Sequence, residues 1–152
     1  YPAMNRMSLA LLISAGQGPS SGFEAADLSA VRQSLQKKNA HSPDFWSVVG
    51  VTELRIYEAL AKRELAPALD GILADLDDLR PRVASSSMWS SVADQAHITL
   101  TAYMEAKGVS AAERDAARTL LAQLGGKPAP EAERQPRRAR KRGSATRRSR
   151  KS

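Results

Sequence analysis

The stretch from His41 to Ala66, HSPDFWSVVGVTELRIYEALAKRELA, constrains the fold more than any other, because one long amphipathic pattern lies between readable start and stop signals. Ser42 suits an N-cap, Pro43 suits the first helical position because it needs no N–H partner there, and Asp44 adds charge that the helix dipole favours. The pattern predicts a helix that starts at Pro43 and runs to about Arg63. Phe45, Val48, Val49, Thr52, Ile56, Ala59 and Leu60 recur three and four apart and form one stripe, which Trp46 and Leu54 widen. Arg55, Glu58 and Lys62 fall on the other side.

A second Trp helix opens at Ser87-Met88-Trp89-Ser90, 43 residues later, and at that offset Ser47 matches Ser90, Val49 matches Val92 and Ala59 matches Ala102. The period is near that of helical solenoids. Other helices read out at about Ala3 to Ala15, from Phe23-Glu24 or Asp27 to about Lys38, from Glu64-Leu65-Ala66-Pro67 to Arg80-Pro81, and from Ser110 to Gly125-Gly126. Gly16 to Gly22 is a loop, Asn39 to Ser42 a break, and Gly108 a C-terminal stop. Ser110-Ala111-Ala112-Glu113 has the form of a capping box. Gly71 would weaken its helix by about 1 kcal/mol relative to Ala unless a neighbour approaches closely there. The expected fold is all-α: about six helices in stacked antiparallel pairs, a tetratricopeptide-like solenoid over residues 1–126, with both Trp side chains packed between pairs, and an irregular helical bundle is the alternative.

Charge divides the chain. The 152 residues carry a formal +7, yet Lys127 to Ser152 holds 11 Lys/Arg against 2 Glu, a local +9, which leaves −2 for the rest. From Arg134 onward, RQPRRARKRGSATRRSRKS has ten basic residues, no acid and no large apolar side chain, so residues 127–152 are expected to be a disordered basic tail. Such a segment binds polyanions. Arg137, Arg138, Arg140, Lys141, Arg142, Arg147, Arg148, Arg150 and Lys151 are the candidates for contacting nucleic-acid phosphates, and no aromatic is interleaved to stack on bases. An anionic membrane surface, an acidic protein and a nuclear-localisation signal over Pro136 to Arg142 are alternative destinations for the same charge.

Catalytic chemistry finds little purchase. With no cysteine and only His41 and His97, there is no thiolate, no nucleophile elbow and no H-x-x-x-H or H-E-x-x-H spacing, so neither enzyme activity nor a metal or other cofactor is expected. His41 reads as a solvated loop residue and His97 as a partly buried one. Asp75, Asp77 and Asp78 are dense in sequence, but successive helical positions diverge by about 100 degrees, which gives a solvated face rather than a site. No run reaches the ~18 to 20 apolar residues of a membrane span. Met7 to Ala15 has the apolarity of a signal-peptide core, but one Arg before it makes a poor positive region, and a helix is the preferred assignment. Because the chain opens on Tyr1 rather than Met, it is expected to be part of a longer protein.

The order Tyr1-Pro2-Ala3-Met4-Asn5, then Asp44-Phe45-Trp46 with Thr52-Glu53-Leu54, then Ala66 and Trp89, resembles the tetratricopeptide-like region of the TRAF-binding-domain family, found in apoptosis-signal-regulating kinases and bacterial multidomain proteins. The resemblance covers about Tyr1 to Tyr103. It implies a cytoplasmic, non-enzymatic regulatory scaffold that binds a protein or a neighbouring domain of its own chain and takes no small-molecule substrate. The kinase neighbours are absent here, and the Arg-rich end is not part of the family's pattern. On a concave face of stacked pairs, Arg55, Glu58, Gln95 and Thr99 would be presented to a protein partner. The alternative is an architectural, sequence-independent nucleic-acid binder whose tail supplies the affinity.

Overall fold

In a computed structural model that describes residues 2–14, 23–82 and 86–125, the chain is all-α. The helices are α1 (Pro2–Ser14), α2 (Ala25–His41), α3 (Phe45–Lys62), α4 (Leu65–Leu79), α5 (Ser86–Glu105) and α6 (Ala111–Gly125), with a 3-10 turn at Arg80–Arg82 after α4. The described residues form no strand. Residues 127–152, and with them every candidate polyanion-binding side chain of the tail, lie outside the described residues, as does the loop from Gly16 to Gly22.

α3 begins two residues later than expected. Asp44, not Ser42, is its N-cap: the Asp44 carboxylate accepts from Ser47 N–H at 2.8 Å, and the Ser47 hydroxyl accepts from Asp44 N–H at 3.1 Å, a reciprocal pair that satisfies two donors at the helix end. Pro43 therefore precedes the helix. The Ser47 amide, and then the nearby Lys38, hold the Asp44 carboxyl below its ordinary value, against an opposing effect of desolvation. α2 runs on through the expected break and ends at His41, whose ring nitrogen lies 2.9 Å from the Lys37 carbonyl oxygen. At the other end of α3, Arg63 adopts φ 60°, a left-handed conformation, and the following N–H of Glu64 closes on the Ala59 carbonyl at 2.9 Å.

Helix contacts close a ring: α1 packs on α3, α3 on α4, α4 on α6, α6 on α5, and α5 back on α1. α2 joins the ring from outside through α3. The all-α expectation holds, but the stacking differs from a linear array of three pairs, in which the first and fifth helices would be kept apart by the third. The physical reason lies in the α1–α5 seam, where Ser8 is buried against Thr99 with their hydroxyl oxygens 3.1 Å apart and Gln95 Nε2 donates to Ser8 Oγ at 2.6 Å. Inside the ring Leu54, Leu65, Ile72, Leu76, Leu100, Leu120 and Leu124 are fully buried.

The two Trp residues occupy different places. Trp89 is 3% exposed, and its indole N–H donates to the Leu124 carbonyl at 3.1 Å, so it is part of the core as expected. Trp46 is half-buried on the side of α3 and meets Phe45 edge to face, with ring centroids 4.8 Å apart. Gly50 and Gly71 both mark close approaches. A Cβ on Gly50 would stand 2.9 Å from Leu35 Cδ2, so its absence lets α2 settle on α3. At Gly71 the Arg55 guanidinium lies where a Cβ would be, so the close neighbour is the end of a flexible side chain from α3.

Candidate functional site

Among the described residues, three of the six buried polar residues, Ser8, Thr99 and Glu113, join helices to one another. Glu113, 5% exposed, is the clearest case. Its backbone N–H uses Ser110 Oγ at 3.2 Å, half of the expected capping box, but its carboxylate does not turn back on α6. It reaches across to the start of α4 instead, accepting from Leu65 N–H at 2.9 Å and Ala66 N–H at 2.8 Å, and it also accepts from the Tyr103 hydroxyl. An anion on the orphan donors of a helix N-terminus is favourable both by hydrogen bonding and by the helix dipole. Arg63 completes the junction, with its guanidinium 5.0 Å from the Tyr103 ring centroid. Burial, then the hydrogen bond to Glu113 and the Glu113 charge, push the Tyr103 hydroxyl above its ordinary value, with Arg63 opposing.

A second cluster sits where α1, α3 and α5 meet. The Tyr57 hydroxyl donates to Glu53 Oε1 at 2.7 Å, and burial first, then the Glu53 charge and hydrogen bond, raise it well above its ordinary value, with Ser8 and Gln95 opposing. Beside it lies an internal void of about 20 Å³, bordered by Thr52, Glu53, Tyr57, Thr99 and apolar side chains of α3 to α6. Carboxylate and phenol are here each other's partners, and neither is directed at open solvent.

The four residues expected to share a protein-binding face do not share one. Thr99 is 2% exposed, and Gln95 is half-buried, both spent on Ser8 within the α1–α5 seam. Arg55 and Glu58 lie on the other side of α3, at a shallow pocket of about 300 Å³ with Lys62, Glu64, Pro67 and Ala68. There Arg55 pairs with Asp75 at 2.7 Å and Glu58 with Arg32 at 2.7 Å. The α1–α5 contact buries Thr99 and half-buries Gln95, where a linear stack would have left them on a concave surface. His97, expected to be partly buried, is exposed, because α5 turns the opposite side to the core. Asp77 accepts from Gln123 Nε2 at 2.7 Å and Asp78 is exposed, so the carboxylates of α4 do not converge. No group of three or more His, Asp or Glu side chains able to hold a metal ion occurs among the described residues.

Sequence reasoning missed the open surface that the fold leaves between α1 and α2. Although consecutive, these helices do not pack extensively on one another; each packs on α3. Between them runs an open groove of about 430 Å³. Met4 and Met7 from α1 and Val31 and Leu35 from α2 supply its apolar floor, with Phe23 at one end. Ala3 and Ala10 on one wall, and Ala30 and Ser34 on the other, keep the rims low. One signal was available: α2 has a thin apolar stripe and, in the structure, no fully buried residue.

The described residues thus form an all-α protein in which Ser8, Thr99 and Glu113 join helices from the interior and an open groove lies between two helices. No protein-family model, no curated protein and no solved structure matches the chain.

Proposed function

We propose that the chain is a non-enzymatic helical interaction module, cytoplasmic, whose helices dock a protein or a neighbouring domain. The observation that carries this reading is the α1–α2 groove: about 430 Å³ of open concavity with a mixed polar and apolar lining, Arg6 and Asp27 included, flanked by two helices that do not close on each other. Its volume falls in the range of about 300–1,000 Å³ in which protein clefts hold ligand groups. The regulatory role implied by the TRAF-binding-domain resemblance fits the same reading. Polar residues of the interior add support, since Glu53, Glu113, Tyr57 and Tyr103 are paired with one another or with backbone rather than aimed at a shared reactive point.

A second function rests on the basic C-terminal segment. Its local +9 favours sequence-independent association with nucleic acid through counterion release, the tail acting as an accessory to the helical body. No helix of the described residues is long and apolar enough to cross a membrane.

Photo-crosslinking in the host cell tests the interaction reading. A photoreactive amino acid is placed singly at exposed positions on α1, α2, α4 and α6, for example Ala10, Ala30, Asp70 and Asp115. The expected result is a discrete polypeptide adduct from one surface and none from the others. Adducts with nucleic acid only, or with no polypeptide from any position, would overturn it.

A further inference from the structure

Among the described residues five large apolar side chains are exposed, and Leu9, Ile13 and Ile98, at 56%, 64% and 54%, are the three most exposed of them. All three lie on α1 or α5. We infer that the outer face shared by these two helices docks on the same face of a second copy of this chain, giving a two-fold symmetric dimer. Such a dimer lies beyond the interaction-module reading above, since it uses a different face of α1 from the groove and stands whether or not the groove has a partner.

Burial fixes which way these side chains point. On α1, Met4, Met7, Ser8 and Leu11 are buried, so Arg6, Leu9 and Ile13, spaced i, i+3 and i+7 and all exposed, form the outward stripe. On α5, Val92, Thr99 and Tyr103 turn inward, while Asp94, Ile98 and Glu105, spaced i, i+4 and i+11, are exposed on the outer side. The seam sets the two stripes side by side. Ser8 and Thr99 have their hydroxyl oxygens 3.1 Å apart, Leu9 follows the one and Ile98 precedes the other, so Leu9 and Ile98 flank the seam. A single exposed apolar residue is ordinary on a protein surface, but neighbouring ones on two packed helices form a patch that association covers.

Charge selects the occupant. Arg6 is the only charged side chain of α1, whereas α5 carries Asp94 and Glu105 and no Lys or Arg. None of the three makes an ion pair among the described residues. The patch therefore has a basic edge on α1 and an acidic edge on α5. A two-fold axis running along the seam lays α1 of each copy on α5 of the other, so that Leu9 and Ile13 of one protomer cover Ile98 of its partner and Arg6 meets the acidic stripe, twice over. An acidic helix would be drawn to Arg6 and repelled by Asp94 and Glu105, and a basic helix the reverse. An anionic lipid surface would meet two carboxylates beside the apolar residues. The basic segment of this chain has no large apolar side chain with which to cover them. A second copy matches both edges and supplies the apolar cover.

Sedimentation equilibrium of the full chain tests the dimer. The expected result is a reversible, concentration-dependent exchange between monomer and dimer. Leu9→Gln combined with Ile98→Gln, at exposed helical positions where Gln is a good helix former, should weaken the dimer about tenfold or more while helicity and melting stay those of the parent. Arg6→Glu by itself, and Asp94→Lys combined with Glu105→Lys, should each weaken it about tenfold, because the symmetry sets like charges against each other in both halves of the interface. An equimolar mixture of these two charge-reversed chains should restore the dimer, since each half then pairs opposite signs again. A parent chain that stays monomeric up to about 1 mM would overturn the proposal. So would a dimer that Leu9→Gln with Ile98→Gln leaves intact, or a mixture that associates no better than either charge-reversed chain alone.

Discussion

At the scale of single residues, the buried carboxylates decide how the helices join. Glu113 satisfies two N–H groups of α4 and the Tyr103 hydroxyl, and a buried donor left without an acceptor costs about 1–3 kcal/mol. Both interior tyrosines give this arrangement a pH dependence. Each ionises from a neutral phenol, and in the folded chain each is raised above the ordinary 10.0 by burial and by its carboxylate partner. Below pH 10 both states hold these protons and the full stability is present. Above it the unfolded chain releases protons that the native state retains, so stability falls as pH rises through 10 toward the folded values. Urea midpoints measured at about pH 8 and about pH 11 are expected to drop in the parent and to drop less in Tyr57→Phe and Tyr103→Phe. Phenolate absorbance from these two residues while the chain is still folded near pH 10 would contradict it. Neither pairing was legible beforehand. Glu113 looked like a local capping residue, because a Ser-x-x-Glu pattern contains nothing about a second helix end within reach.

At the scale of elements, Gly71 shows how opposing terms can be separated. Replacing it by Ala in a helix interior gains about 1 kcal/mol of propensity, but the new Cβ occupies the place of the Arg55 guanidinium. That group is the end of a flexible, exposed side chain and can swing aside, giving up an ion pair with Asp75 that is worth about 0.2–1 kcal/mol at such a position. Gly71→Ala is therefore expected to stabilise by about 0–0.8 kcal/mol in the parent and by about 1 kcal/mol in an Arg55→Ala background. Chemical denaturation of the four chains closes the cycle. A loss above about 2 kcal/mol in both backgrounds would mean that helix backbone, not the Arg55 side chain, fills the space. The long apolar stripe of α3 was readable, whereas the Arg55 guanidinium over Gly71 was not. The choice of Asp44 over Ser42 as cap was not, since both are good capping residues, and only the Ser47 hydroxyl returning the hydrogen bond selects between them.

At the scale of the whole molecule, the charge asymmetry predicts where affinity for nucleic acid resides. A chain ending at Gly126 is expected to keep the helicity and melting of the intact chain, because residues 127–152 contain no large apolar side chain with which to join the core. Titrations against two unrelated DNA duplexes at two salt concentrations should show binding by the intact chain only, alike for both duplexes. The affinity should fall with salt by about 0.9 log units per log unit for each phosphate neutralised. Equal affinity in both chains would place the interaction on the helices.

What the sequence determined by itself was much of what depends on near neighbours along the chain: six helical segments from their 3.6-residue periodicity, several of their ends from Gly and capping residues, and the division of charge at Gly126. Helix–helix partnership was decided only in three dimensions. Amphipathic stripes specify that each helix must bury a face, but many arrangements bury the same faces. Where α1 meets α5, Ser8 lies against Thr99 and Gln95 across 91 and 87 residues of chain, a contact that no local pattern encodes. That seam buries Thr99 and half-buries Gln95, two expected binding residues. The groove beside α2 arises because α2 joins the ring from outside, on α3, where Gly50 admits Leu35.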